Sequence, residues 1–333
     1  MNEKNRREYY RGCLLGGSIG DALGYPIEFS SYWEIKRTYG SNGLQTMVLD
    51  DKGKGLISDD TQMMLFTVEG LMNAERDQTD HKTALYEAYL RWLYTQDYTI
   101  DDRLMTGSLI YQRELIARRA PGNTCLSALA SGRMGGKNIR LNDSKGNGAV
   151  MRTAPIGLYY AGNSKKAFRL GVDAGSITHS HPTGFYAAGA MAAIISEIIG
   201  GASIEDAVDT ALELLNDHVS SEETITALEK AKRLGLNFQV EDVDAIGILG
   251  EGWIAEEALA IGVYCALRHQ TDFRQGLLAA VNHGGDSDST GMITGNILGA
   301  YLGEMEIPFD WILNVEFGKI TAALAEELFC VRN

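Results

Sequence analysis

Apolar residues recur along most of this chain at intervals of three and four. Ile204, Ala207, Val208, Ala211, Leu212 and Leu215 make one stripe, and Ala84, Leu85, Ala88, Tyr89, Trp92 and Leu93 make another. That spacing is the signature of an amphipathic helix. Period-two alternation with hairpin turns is almost absent, and only five prolines occur. The pattern predicts helices over 8–23, 59–75, 80–96, 101–119, 123–131, 149–160, 165–178, 184–199, 203–217, 221–234, 253–269, 271–283, 289–303 and 315–329. Glycine-rich loops are expected at 40–58 and 132–148, and one strand-like run at 245–249. No Pro- or Ser-rich linker separates two halves. The expected architecture is a single compact all-α domain over 1–333, with its site built from loops at helix ends.

Glycine adds a second periodicity. Gly12, Gly16, Gly20 and Gly24 fall every fourth residue, as do Gly291, Gly295, Gly299 and Gly303. Each set lines one helix face. Glycine is about 1 kcal/mol worse than alanine in a helix, so these faces must be offset by close backbone approach. The helices carrying them are therefore expected to be central, each against another helix.

Candidate chemistry concentrates at 281–291, where two glycines precede Asp286 and Asp288, and Ser289 and Thr290 follow. Carboxylates and hydroxyls are hard oxygen donors of the kind Mg²⁺, Mn²⁺ or Ca²⁺ prefers. Residues 292–302 read as a helix, so the acids lie at its start, where the dipole favours negative charge. A plain helix cap is the competing reading. An EF-hand is excluded, because its bidentate glutamate position falls on Ile297 within the helix. A second acidic helix start, Ser58, Asp59, Asp60 and Thr61, changes the balance. Two such starts facing each other supply enough oxygens for two six-coordinate cations, and metals about 4 Å apart recur in hydrolytic sites.

Composition narrows the alternatives. The chain has 333 residues and a formal net charge of −14, which excludes a broad basic surface for a nucleic-acid backbone. Cys13, Cys125, Cys265 and Cys330 are far apart, with neither zinc nor disulfide spacing. Cys13 and Cys265 fall in apolar helical stretches and are expected in the core. The polar stretch 1–11 carries no leader pattern. The apolar run 185–199 contains Ser196 and Glu197 and reads as too short to span a membrane. A cytoplasmic monomer without membrane contact is expected.

Other loops are less specific. Gly146, Asn147 and Gly148 run into Ala149, Val150, Met151 and Arg152, which makes either an anion cradle or a tight turn. Gly250, Gly252 and Ala255 match GxGxxA with Asp272 about twenty residues on, but a dinucleotide fold needs a parallel sheet. Trp253 there could pack on an adenine or ribose face. His179 and His181 lie in a loop without nearby ligands, so a hydrogen-bonding or base-like histidine is preferred to a metal pair. Asn123 or Thr124 is expected to cap the helix after Pro121.

Together, residues 16–28, 58–61, 121–124, 146–155, 178–179 and 284–291 resemble the ADP-ribosylglycohydrolase family, in the family's order and over nearly the whole chain. The resemblance implies an all-α fold with a binuclear Mg²⁺ or Mn²⁺ centre. Ser58, Asp59 and Asp60 look like one ligand set, and Asp286, Asp288 and Ser289 the other, with Asp288 where the shared ligand bridges both ions. Asn147, Gly148, Ala149 and Met151 resemble the loop that holds the diphosphate and distal ribose, and Gly122, Asn123 and His179 line the same cleft. The implied reaction hydrolyses the bond between C1 of the distal ribose and an acceptor, such as a side chain of an ADP-ribosylated protein. Glu28, Asp60 and Asp288 are the candidate catalytic carboxylates. Two departures bear on the acceptor. Ser58 and Ser289 stand where many members have threonine, and Ala120 stands where nitrogenase-regulating members have an aspartate. Glu28, in the place of the acid used by the serine-type hydrolases, becomes the alternative acid. The competing functions are a two-metal phosphoesterase and a non-catalytic ADP-ribose binder.

Overall fold

The computed structural model describes residues 3–332, so the first two residues of the polar 1–11 stretch and Asn333 lie outside the described residues. Among the described residues sixteen α-helices follow one another. They are α1 (Glu3–Gly24), α2 (Tyr32–Tyr39), α3 (Asp59–Asp77), α4 (His81–Thr95), α5 (Asn123–Ala130), α6 (Ala154–Tyr159), α7 (Ser164–Ser176) and α8 (Pro182–Gly200). Next come α9 (Ile204–Asn216), α10 (Glu222–Gly235), α11 (Asp242–Leu249), α12 (Ala255–Arg268), α13 (Phe273–Val281), α14 (Ser287–Leu302), α15 (Phe309–Asn314) and α16 (Gly318–Arg332). No strand occurs among the described residues, only isolated bridges.

The two glycine faces meet each other. A Cβ added at Gly12, Gly16, Gly20 or Gly24 would lie under 3.0 Å from the carbonyl oxygen of Gly299, Gly295, Gly291 or Ser287 respectively. The reversed order makes α1 and α14 antiparallel, backbone against backbone, and α12, α13 and α16 pack around the pair. Gly303 ends α14 at φ +88 and still lies against α1, its carbonyl carbon 2.8 Å from a Cβ built at Gly12. Because the seam runs to the C-terminal end of α1 and the N-terminal end of α14, it brings the turn after α1 against the Asp286–Ser289 start. Gly295→Leu is expected to overpack this seam and destabilise the protein by about 1–3 kcal/mol or more. An unchanged melting temperature would count against that.

Three other expectations are corrected. Residues 101–119 form three short 3-10 turns instead of one helix. Gly107 sits at φ +91, and the buried Glu69 carboxylate, paired with Arg91 at 2.8 Å, takes the Ser108 and Leu109 amides at 2.8 and 3.1 Å. Those amides are thereby withdrawn from any helical ladder. The strand-like run 245–249 belongs to α11. The short α2 was missed, although Ser31 and Glu34 form a capping box that the sequence displays.

The apolar run 185–199 lies in α8, which at 19 residues is long and apolar enough to cross a membrane, yet 89% of its apolar window is buried within the protein. Burial, not shortness, marks it as a core helix. Cys13, Cys125 and Cys265 are buried, Cys330 is exposed, and all four are free thiols.

Candidate metal centre and cleft

Two helix starts build the floor of the site. At α3, the Ser58 hydroxyl accepts from the Asp60 amide at 3.2 Å, the ordinary work of an N-cap. Asp21, on α1, holds this start in place. Its carboxylate accepts from the Ser58 amide at 2.9 and 3.0 Å, the Thr61 amide at 3.1 Å and the Thr61 hydroxyl. Burial pushes the Asp21 carboxyl up to about 6, against the pull of these bonds. At α14, the Asp286 carboxylate caps the helix by accepting from the Ser289 amide at 3.3 Å, and the Asp288 carboxylate takes the same amide at 2.9 Å.

The two starts touch. Ser289 Oγ donates to Asp60 Oδ2 at 2.8 Å. Glu28, Asp286 and Asp288 each present an oxygen within 4.8 Å of the others. Glu28, Asp59, Asp60, Asp286 and Asp288 are all nearly buried, from 4% exposed at Asp60 and Asp288 to 9% at Glu28. Burial, then mutual repulsion, raises the carboxyls of Asp59, Asp60 and Asp288 well above the usual range. Burial also raises Asp286, while hydrogen bonds hold it down. Burial and the charges of Asp286 and Asp21 push Glu28 up to about 8. Glu28 Oε2 is buried without a hydrogen-bond partner. Crowded, buried oxygens of this kind are costly alone and match the ligand preference of a hard divalent cation.

Above this floor lies a cleft of about 320 Å³. It is lined by Glu28, Asp59, Asp60, Asp286, Asp288 and Ser289, and by Gly122, Asn123, Asn147, Gly148, Met151, His179 and Trp253. No lysine or arginine lines it. Ser58 and Ala149, also candidates, are fully buried and stand outside the lining. The Ser58 hydroxyl is turned to the α3 cap. Asn123 and Thr124 do not cap α5. Gly122 holds the cap position without a side-chain bond, and Thr124 Oγ1 pairs with Ser144 Oγ at 2.9 Å.

Three loops are stitched together around the acids. Asn147 Nδ2 donates to Asp286 Oδ2 and to the Gly252 carbonyl, both at 2.7 Å. The Asp286 amide donates to the Glu251 carbonyl at 2.8 Å, and the Asn147 amide to the Trp253 carbonyl at 3.3 Å. The GxGxxA match thus serves as a brace between two helices, with no parallel sheet beside it. Trp253 stacks on Phe29 at the mouth, with centroids 5.6 Å apart and planes 16° apart. His181 caps α8 through the Thr183 amide at 3.3 Å, whereas His179 lines the cleft. Sequence reasoning missed Asp21 and Phe29. Asp21 had no local signal, because its partners lie 37 and 40 residues away. Phe29 is 78% exposed and adjoins Glu28, a juxtaposition that could have drawn notice.

An all-α fold with an acidic, oxygen-rich cleft at two helix starts fits one class of protein. The chain belongs to the ADP-ribosylglycohydrolase family, whose model matches residues 2–333. Among its relatives, the ADP-ribosyl-[dinitrogen reductase] glycohydrolase of Rhodospirillum rubrum is 25% identical over 308 residues, covering 92% of this chain and 89% of that protein. The ADP-ribosylhydrolase ARH3 of Bos taurus is 24% identical over 356 residues, covering 96% and 92%. A solved structure described as an ADP-ribosylglycohydrolase-related protein complex matches with a TM-score of 0.66 at 25% identity, over 99% of this chain and all of that one.

Proposed function

We propose that the protein hydrolyses the glycosidic bond between the distal ribose of ADP-ribose and an acceptor, releasing ADP-ribose from an ADP-ribosylated protein or small conjugate. The observation that carries this is the contact between two acidic helix starts, Ser289 Oγ to Asp60 Oδ2 at 2.8 Å, on the floor of one cleft. Asp59 and Asp60 with Asp286, Asp288 and Ser289 would form the donor set for two divalent cations, Mg²⁺ or Mn²⁺, and Ser58 could join it only through the free lone pair of its capping hydroxyl. When bound, such cations orient the ribose hydroxyls and make a water more acidic. The chain itself does the rest. The 146–151 loop, Gly122, Asn123 and His179 take the diphosphate and distal ribose, and Trp253 offers an aromatic face at the mouth. Glu28 Oε2, free of any protein partner, would take the proton of the attacking water once bound cations offset the Asp286 and Asp21 charges that hold its carboxyl up to about 8, while the sugar passes through an oxocarbenium-like state.

The test is metal-dependent release of ADP-ribose from arginine-, serine- and O-acetyl-linked substrates in parallel. Release of AMP instead would assign a phosphoesterase. Tight ADP-ribose binding without any product would assign a binder.

Metal removal has its own readout. Saturating Mg²⁺ or Mn²⁺ is expected to raise the melting temperature, by about 2.7 kcal/mol of stability at a hundred times Kd. A chelator should reverse it. Identical calorimetric traces with and without metal would remove the cations from the reading.

A further inference from the structure

Arg152 is fully buried and lies directly behind the cleft wall. Its Nη2 donates to the Ala174 carbonyl at 3.1 Å and to Thr178 Oγ1 at 2.8 Å. Nη1 meets two sulfurs, Met63 Sδ and Cys125 Sγ, each at 3.5 Å, and the guanidinium lies 4.1 Å from the centre of the Tyr89 ring. Arginine can only donate, so Thr178 Oγ1 accepts on that side and keeps one proton of its own. Two acceptors compete for that proton: His179 Nδ1 at 2.9 Å, and the Cys125 thiol, which also interacts with Thr178. An imidazole nitrogen is a much better acceptor than a thiol sulfur. With Nδ1 accepting, the single ring proton of a neutral histidine sits on Nε2. Burial, then the charge of Arg152, holds the ring neutral by pushing it down to about 3.

Nε2 faces the glycine turn of the cleft. A Cβ at Gly146 would lie 3.6 Å from it, and one at Gly148 3.7 Å. Among the described residues no acceptor pairs with Nε2.

We propose that Arg152 and Thr178 are positioning residues that lock His179 as its Nε2–H tautomer, a neutral donor aimed at a phosphate or ribose oxygen seated on the 146–148 turn. Only the identity of that oxygen rests on the ADP-ribose reading, because the tautomer is a property of the free protein. The relay assigns His179 to holding substrate, since a ring kept neutral and already protonated on its exposed nitrogen is a poor base.

The experiment is a long-range proton–nitrogen spectrum of the full-length protein labelled with ¹⁵N-histidine at neutral pH. The His179 signals are identified by their loss in His179→Gln. The expected result is a protonated Nε2 and a bare Nδ1. Thr178→Val keeps the shape and removes the proton. It should shift the ring toward the Nδ1–H form and weaken ADP-ribose binding about tenfold in calorimetry with Mg²⁺, the scale of one lost hydrogen bond. Thr178→Ser should restore both. A protonated Nδ1 in the wild-type protein overturns the relay, as does a tautomer unmoved by Thr178→Val. Should that variant fail to fold, the wild-type spectrum alone decides. If ADP-ribose does not bind the wild-type protein at all, the functional reading falls, and the tautomer result is still judged separately.

Discussion

Asp288→Ala is expected to cost the protein its metal response and its turnover together, while the metal-free protein still folds and melts near wild type. Asp288 accepts one backbone amide, that of Ser289 at 2.9 Å, shares a side-chain hydrogen bond with Asp286, and otherwise faces like charges on Asp286, Asp60 and Glu28. Removing Asp288 relieves that crowding and gives up its bond to Asp286, two effects of opposite sign on the metal-free protein. A lost ligand should weaken metal affinity by about 100-fold or more, beyond the 10–100-fold usual for residues that merely support a ligand. Calorimetric titration with Mn²⁺, beside melting curves with and without chelator, separates the outcomes. A metal-free protein that melts well below wild type would make Asp288 a structural residue. Full turnover would take it out of the site.

Glu28→Gln carries the second large effect. The substitution keeps size and some hydrogen bonding but leaves no group to accept a proton. Turnover should fall by about 10²–10⁴-fold, the usual contribution of a general base, while ADP-ribose affinity stays near wild type. Glu28 lies beside Asp286 and Asp288 with one buried oxygen unpaired, so the amide should be accommodated without loss of fold. The measurement is ADP-ribose binding by calorimetry with Mg²⁺, beside turnover on a cleavable conjugate. Retained activity would move the proton to one of the aspartates. Loss of affinity and turnover together would make Glu28 a ligand of metal or ribose.

Much of this site was legible because its chemistry is local in the chain. Asp59 and Asp60, like Asp286 and Asp288, announce themselves as acids at helix starts, and the same dipole logic places them at the same depth. The shared four-residue glycine spacing was equally plain, and with hindsight it also named the partner, since two equal small-residue faces fit each other. What stayed hidden depends on direction or on distance. That Ser58 turns its hydroxyl to its own helix is a matter of side-chain aim, which residue type does not encode. Asp21 looks like one more polar residue in an amphipathic helix until α3 is laid across it. The misread helix at 101–119 failed for a similar reason: a carboxylate from α3 captured its amides, and no local propensity reports that.

The seam between α1 and α14 also bears on the order in which the molecule is made. Gly12 waits for Gly299, and Glu28 reaches the α14 acids only once that pairing exists. During synthesis, α1 leaves the ribosome long before its partner has been translated. Its glycine face has nothing to close on until nearly the whole chain has emerged. Closing so long a loop adds little free energy beyond a shorter one, because the cost grows only with the logarithm of length. It does set a sequence of events: the complete acidic floor cannot form before α14 has emerged. A chain halted before α14 would therefore carry the Asp59–Asp60 start and no opposing acids, which leaves a nascent or truncated protein without the site.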